Sequence, residues 1–172
     1  MTLDELNVLT QRAAFDMFHE CCHCERWATR MVLARPFASI ASLLDKADEF
    51  WSQSSRAEIL EAFSGHARIG DMEALREKFS GATGHEQGQV LETSEATLEQ
   101  LYELNLLYEQ RHGFIFIICA TGKSADEMLA ALKARIDNPT GTEIINGARE
   151  QGAINQLRLQ RALSDTGEGH DE

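Results

Sequence analysis

The stretch from Phe114 to Ala120 is the one run with the unbroken apolar character of a buried strand, and no second run exists for it to pair with. A lone strand leaves its backbone polar groups without partners. Elsewhere the apolar residues return at three- and four-residue spacing, the period of a helix with one buried face. The expected fold class is therefore all-α: a single-domain bundle of roughly eight helices with no significant sheet. The apolar run itself is expected in the core. Gly113 and Gly122 bracket it, so it can hold backbone N–H groups in a fixed, half-buried position.

Local signals divide the rest. Ala14, Phe15, Phe18 and Cys21/Cys22 make one helical face after Thr10. Trp27, Ala28, Met31 and Val32 make the next, which stops before Arg35-Pro36 because proline pushes the preceding residue out of the helical region. Ser39 can cap a helix carrying Leu43, Leu44, Ala47 and Phe50/Trp51. Ser55-x-x-Glu58 and Ser124-x-x-Glu127 have the reciprocal capping pattern, and the helix opened by the first stops at Ser64-Gly65. Asp71 can cap a short helix with Leu75 and Phe79; Ser80 to Gly88 reads as a loop. A long helix from Ser94 buries Leu98, Leu101 and Tyr108, with Asn105 interrupting its apolar face. A buried amide without a partner costs about 1–3 kcal/mol, so Asn105 is expected to bond a nearby backbone turn. Asn138-Pro139 breaks the chain, and Thr140-x-x-Glu143 opens a last helix. Residues 1–163 are expected to form the helical domain, and 164–172 a disordered tail.

Sixteen basic residues stand against 28 acidic ones, a net charge of −12. That balance disfavours a nucleic-acid or anionic-membrane surface. Met1 to Asn7 has no apolar signal core, and no apolar stretch reaches a spanning length. Three of the four cysteines, Cys21, Cys22 and Cys24, crowd together in a poor disulfide framework, so a cytoplasmic setting is expected.

The same cysteines, with His19 and His23, invite a zinc reading. A tetrahedral site needs a second ligand pair further on, and none follows; placed around a helix, these residues are expected to pack in the core, with no metal. Gly122-Lys123-Ser124 resembles the end of a phosphate loop, but Ile117 stands where that motif needs glycine. Ser124 is a helix cap. Cys119 lies among apolar residues that disfavour its thiolate, which makes it a packing residue. His66-Ala67-Arg68-Ile69-Gly70 presents an imidazole, the side chain best suited to proton transfer near neutral pH, on a constrained turn. His85-Glu86-Gln87 lies in the loop beyond.

The set resembles the 2-oxo-4-hydroxy-4-carboxy-5-ureidoimidazoline (OHCU) decarboxylases, which complete the conversion of urate to allantoin. It comprises Phe18, Cys21, Cys22 and Trp27; His66 to Gly70; Glu86-Gln87; Asn105-x-x-Tyr108-Glu109-x-Arg111; Gly113 to Ser124; and Leu157-Arg158-Leu159. The resemblance implies an all-helical, cofactor-free decarboxylase, usually a homodimer, that releases CO2 and gives (S)-allantoin. It implies catalytic roles for His66 and Glu86. It implies substrate contacts from Ala67, Thr83, Gly84, His85 and Gln87, from the backbone of Ile118, Cys119, Ala120, Thr121 and Gly122, and from Arg158 to a carboxylate. Three positions depart from the family pattern: Ala67 replaces a proline, Thr83 a serine and His112 a phenylalanine. Two other readings stay open on the residues: a non-enzymatic helical interaction module, and an enzyme of the same fold acting on a related carboxylated ureide.

Overall fold

The structure is a computed structural model that describes residues 1–67, 72, 73, 75, 76 and 95–164. All regular structure among the described residues is helical. Its helices are α1 (Leu3–Val8), α2 (Gln11–Cys21), α3 (Glu25–Leu33), α4 (Ile40–Ser52), α5 (Arg56–Phe63), α6 (Glu95–His112), α7 (Ala125–Arg135) and α8 (Thr140–Ser164). The chain divides into two compact units, one made of Met1–Gly65 with the chain from Ala148 onward, the other of His66–Gly147.

In the first unit the expected caps are present. The Thr10 hydroxyl accepts from Ala13 N–H, Ser39 from Ser42 N–H, and Ser55 and Glu58 close a reciprocal capping box. α2, α3 and α4 turn Phe18, Trp27, Met31, Leu43 and Trp51 into one core, where Leu159 and Leu163 of α8 join them. The two tryptophans also fix positions through their indole N–H groups, Trp27 donating to Ala47 O (3.0 Å) and Trp51 to Ala148 O (2.8 Å). A buried indole N–H needs such an acceptor, so each bond sets the register of one helix against another.

One helix goes beyond the sequence expectations, and one expectation is corrected. Thr2-x-x-Glu5 is itself a capping box and opens the short α1, whose C-terminal carbonyls at Leu6 and Leu9 accept from Arg35 Nη1 (both 2.8 Å). The cysteine cluster does not ride around one helix. α2 ends at Cys21, Cys22 is its C-cap and Cys24 the N-cap of α3. All three thiols are buried all the same, and burial pushes Cys21 up to about 11 and Cys22 further still. Among the described residues no cluster of metal-ligating side chains occurs.

In the second unit α6 and α7 pack Leu98, Leu101, Tyr108, Met128, Leu129 and Leu132 into a separate core that also takes in Leu75. Ser124 and Glu127 form the predicted capping box at the start of α7. Asn105 bonds backwards within its own helix, its Nδ2 donating to Leu101 O (2.7 Å). The helix expected after Asp71 is helical at Met72, Glu73, Leu75 and Arg76; Asp71 and Phe79 lie outside the described residues. The apolar run departs from expectation. From Phe114 to Ala120 it joins no helix or strand, and only Ile117 is buried, the others being half-exposed. Among the described residues there is no strand to complete a ladder, and the run lies along the core surface, held by side chains.

Candidate active site

His66 follows the two-residue turn that ends α5, and it is half-buried; Ala67 beside it is exposed. The turn is set by a close approach. A Cβ on Gly65 would stand 2.3 Å from His23 Cβ and 2.6 Å from its Cγ, so only glycine fits without moving the Cys22–Cys24 segment. Glycine at this position therefore fixes where the chain enters His66. Thr83, Gly84, His85, Glu86 and Gln87 lie outside the described residues.

The backbone of 118–122 belongs to the same unit as His66. Gly113 (φ 84°) and Gly122 (φ 79°) take the left-handed conformation at the two ends of the run, which side-chain-bearing residues adopt only at a cost. Between them the chain is pinned from the side. Lys123 Nζ donates to Cys119 O (3.1 Å), and Lys123 N–H closes a turn on Ala120 O (3.0 Å). The rings of Phe114 and Phe116 stand edge-on to Tyr108, at 6.0 and 5.2 Å between centroids. Ile118, Cys119 and Ala120 are half-buried, while Thr121 and Gly122 are exposed. The segment thus offers a short, immobilised stretch of main chain outside any regular ladder, suited to hydrogen-bonding a flat polar ligand.

Arg158 belongs to the first unit, where its Nη1 donates to the carbonyl of Cys21 (3.0 Å), the last residue of α2. A cation at that end satisfies an orphan carbonyl and complements the helix dipole. One donor of five is used in this way, and the side chain lines an open hollow with Met17, Glu20, Cys21, Arg161 and Ala162.

One residue was missed by the sequence reading. Glu143 reads as the capping acid of α8, yet its carboxylate is fully buried and accepts four hydrogen bonds. Tyr108 Oη (2.6 Å) and Arg135 Nε (2.9 Å) reach one oxygen; Asn138 Nδ2 (2.9 Å) and Asn146 Nδ2 (2.8 Å) reach the other. Burial raises its pKa, but the bonds from Asn138, Tyr108 and Asn146 and the charge of Arg135 outweigh it and hold the carboxyl below its usual value. Burial, then the bond to Glu143, pushes the Tyr108 hydroxyl upward, so it stays a donor. His112, where the family pattern has phenylalanine, is buried as well. Ile136 O can only accept, so Nε2 carries a proton toward it (3.0 Å), and in the neutral ring Nδ1 then accepts from Thr140 Oγ1 (2.8 Å). The signal for this network was the Tyr108-to-Glu143 pairing, which no local pattern contains.

Comparison with known proteins places the chain. The model of the OHCU decarboxylases matches residues 7–160. The chain belongs to the OHCU decarboxylase family. The uric acid degradation bifunctional protein TTL of Arabidopsis thaliana is 35% identical over 153 residues, which cover 87% of this chain and 47% of that protein. The chain thus spans about half of that bifunctional relative. The Haloferax volcanii OHCU decarboxylase is 28% identical over 167 residues, covering 95% of this chain and 97% of that one. Among solved structures, an OHCU decarboxylase crystallised in the presence of (S)-allantoin superposes with a TM-score of 0.72 at 35% identity, covering 87% of this chain and 99% of that chain. Among the described residues no helix of this OHCU decarboxylase family member is long and apolar enough to cross a membrane.

Proposed function

We propose that this chain decarboxylates 2-oxo-4-hydroxy-4-carboxy-5-ureidoimidazoline to (S)-allantoin and CO2 in urate degradation. The family match across residues 7–160 carries the reading. The chemistry needs no outside electron sink. The carboxylate sits on C4 beside a C=N bond at C5, so the electron pair released with CO2 flows into that bond. The C4 hydroxyl turns the product into an enol, which becomes the C4 carbonyl when C5 takes a proton. The protein must therefore hold the carboxylate out of the ring plane, stabilise developing charge and protonate one face of C5.

In this reading His66 moves the proton between the C4 hydroxyl and the reacting carbon, with Glu86 setting its tautomer. Its support is the motif match together with the place of His66 on a turn fixed by the Gly65–His23 contact. Main-chain groups of Ile118 to Gly122, with Thr83, Gly84, His85, Gln87 and Ala67, read the ring and ureido group. Arg158 takes the carboxylate, for which a guanidinium is geometrically matched. The protein acts as a cytoplasmic homodimer, which a solution mass of twice 19.2 kDa would support.

The test is circular dichroism of allantoin formed from freshly oxidised urate in the presence of the upstream hydrolase. The parent should hasten the appearance of optically active product. His66→Ala should stay folded and slow it by about 10²- to 10⁴-fold, the usual worth of a positioned acid–base group. A variant that makes (S)-allantoin at the parent rate removes His66 from the mechanism.

A further inference from the structure

Arg135, at the end of α7, makes three different contacts from one guanidinium. Its Nε donates to the buried carboxylate of Glu143 (2.9 Å), its Nη1 donates to the main-chain carbonyl of Ile117 (2.9 Å), and its plane lies over the ring of Phe116, 4.5 Å from the centroid. Its Nη2 is buried and has no hydrogen-bond partner among the described residues. The side chain is 14% exposed and Glu143 0%.

That arrangement is costly as a stability device. An ion pair out of water is often no better than apolar side chains of the same volume, and an unsatisfied buried donor adds its own penalty. An apolar pair in place of Arg135 and Glu143 together could fill that space without either cost. What it could not do is hold a carbonyl. Ile117 O belongs to the run that has no ladder of its own, one residue before the main chain proposed to read the substrate. A planar guanidinium anchored on one edge by Glu143 fixes that carbonyl in direction as well as position, which a flexible ammonium does poorly.

We infer that Arg135 is a positioning residue: locked by Glu143, it fixes the Ile117 peptide and the Phe116 ring and so sets the direction of the N–H groups from Ile118 to Gly122. The role in catalysis rests on the decarboxylase reading above. Tyr108, Asn138 and Asn146 belong to the same device, because each holds Glu143 in the orientation that Arg135 needs.

The experiment compares the parent with Arg135→Met and Arg135→Lys in steady-state decarboxylation and in amide proton–nitrogen spectra. Loss of fold alone lowers the active fraction, hence kcat, and leaves KM where it was. A positioning role raises KM: at least tenfold is expected for Arg135→Met, and a smaller rise, about threefold or more, for Arg135→Lys, whose ammonium cannot hold both acceptors in one plane. The amide resonances of Ile118 to Gly122 should move in both variants, while those of α2 and α3 stay in place. Should Arg135→Met fail to fold, Arg135→Lys decides alone. An active parent whose folded variant keeps its KM and its 118–122 resonances overturns the inference and spares the decarboxylase reading. A parent that does not turn over the ureidoimidazoline overturns that reading and the catalytic role with it.

Discussion

Gly65→Ala tests whether the turn before His66 is built by contact. The added Cβ would lie 2.3 Å from His23 Cβ and 2.6 Å from its Cγ. Carbon atoms rest at about 3.5–4.0 Å, so the two must separate by more than an ångström. A rotamer change cannot supply it, because a Cβ moves only with its own backbone. His23 itself sits between Cys22 and Cys24, both fully buried, so its segment cannot swing outward freely. Overpacking of this kind costs about 1–3 kcal/mol, and the fixed backbone on both sides puts this case at the upper end. For a chain of this size each kcal/mol is worth about 2–4 °C in Tm, so a fall of roughly 6–12 °C is expected in thermal unfolding followed by circular dichroism. A second substitution sharpens the result. His23→Ala keeps the offending Cβ and should not rescue Gly65→Ala, whereas His23→Gly removes it and should recover much of the loss. A Gly65→Ala protein melting within a degree of the parent, or one rescued equally by both partners, would refute the reasoning.

Glu143→Gln should destabilise by about 3–5 kcal/mol at neutral pH, because it leaves the buried guanidinium of Arg135 without its counter-charge. The folded pKa of Glu143 lies below the ordinary 4.5, so its contribution is fully present above that value and is lost as pH falls through the folded pKa. Urea midpoints should therefore separate parent and variant most at pH 7 and converge as the pH drops below 4.5; a gap that is constant with pH contradicts the assignment. In thiol labelling at pH 8, Cys119 should react first and Cys21, Cys22 and Cys24 slowly until urea is added, since burial of those three holds all their thiols protonated. Four equally fast thiols would rule out the packing described for the α2–α3 turn.

Much of the fold was written in local patterns. Ser39, Ser55-x-x-Glu58 and Ser124-x-x-Glu127 start helices because capping involves residues three apart and needs nothing from the rest of the chain. Thr2-x-x-Glu5 carries the same signal and opens a helix just as well. What local pattern does not contain is the partner across the fold. Thr140-x-x-Glu143 reads as one more cap, but Glu143 meets Tyr108 from 35 residues away and is a buried hub instead. The run after Gly113 looks like core by composition, yet with no strand to pair among the described residues it keeps only Ile117 inside. Of the site proposed here, His66 and the 118–122 main chain are candidates by motif, whereas the Gly65–His23 contact in the turn before the first and the Arg135 clamp beside the second depend on approaches that spacing alone does not encode.

The guanidinium of Arg158 already commits one donor to the end of α2. Ordering a long, flexible side chain costs up to about 2 kcal/mol of conformational entropy, and here folding has met much of that cost before any ligand arrives. The carboxylate proposed to dock on the open part of the fork would meet an arginine already held in place. At about 1.4 kcal/mol per factor of ten, this advance ordering is worth roughly tenfold in affinity without any additional contact.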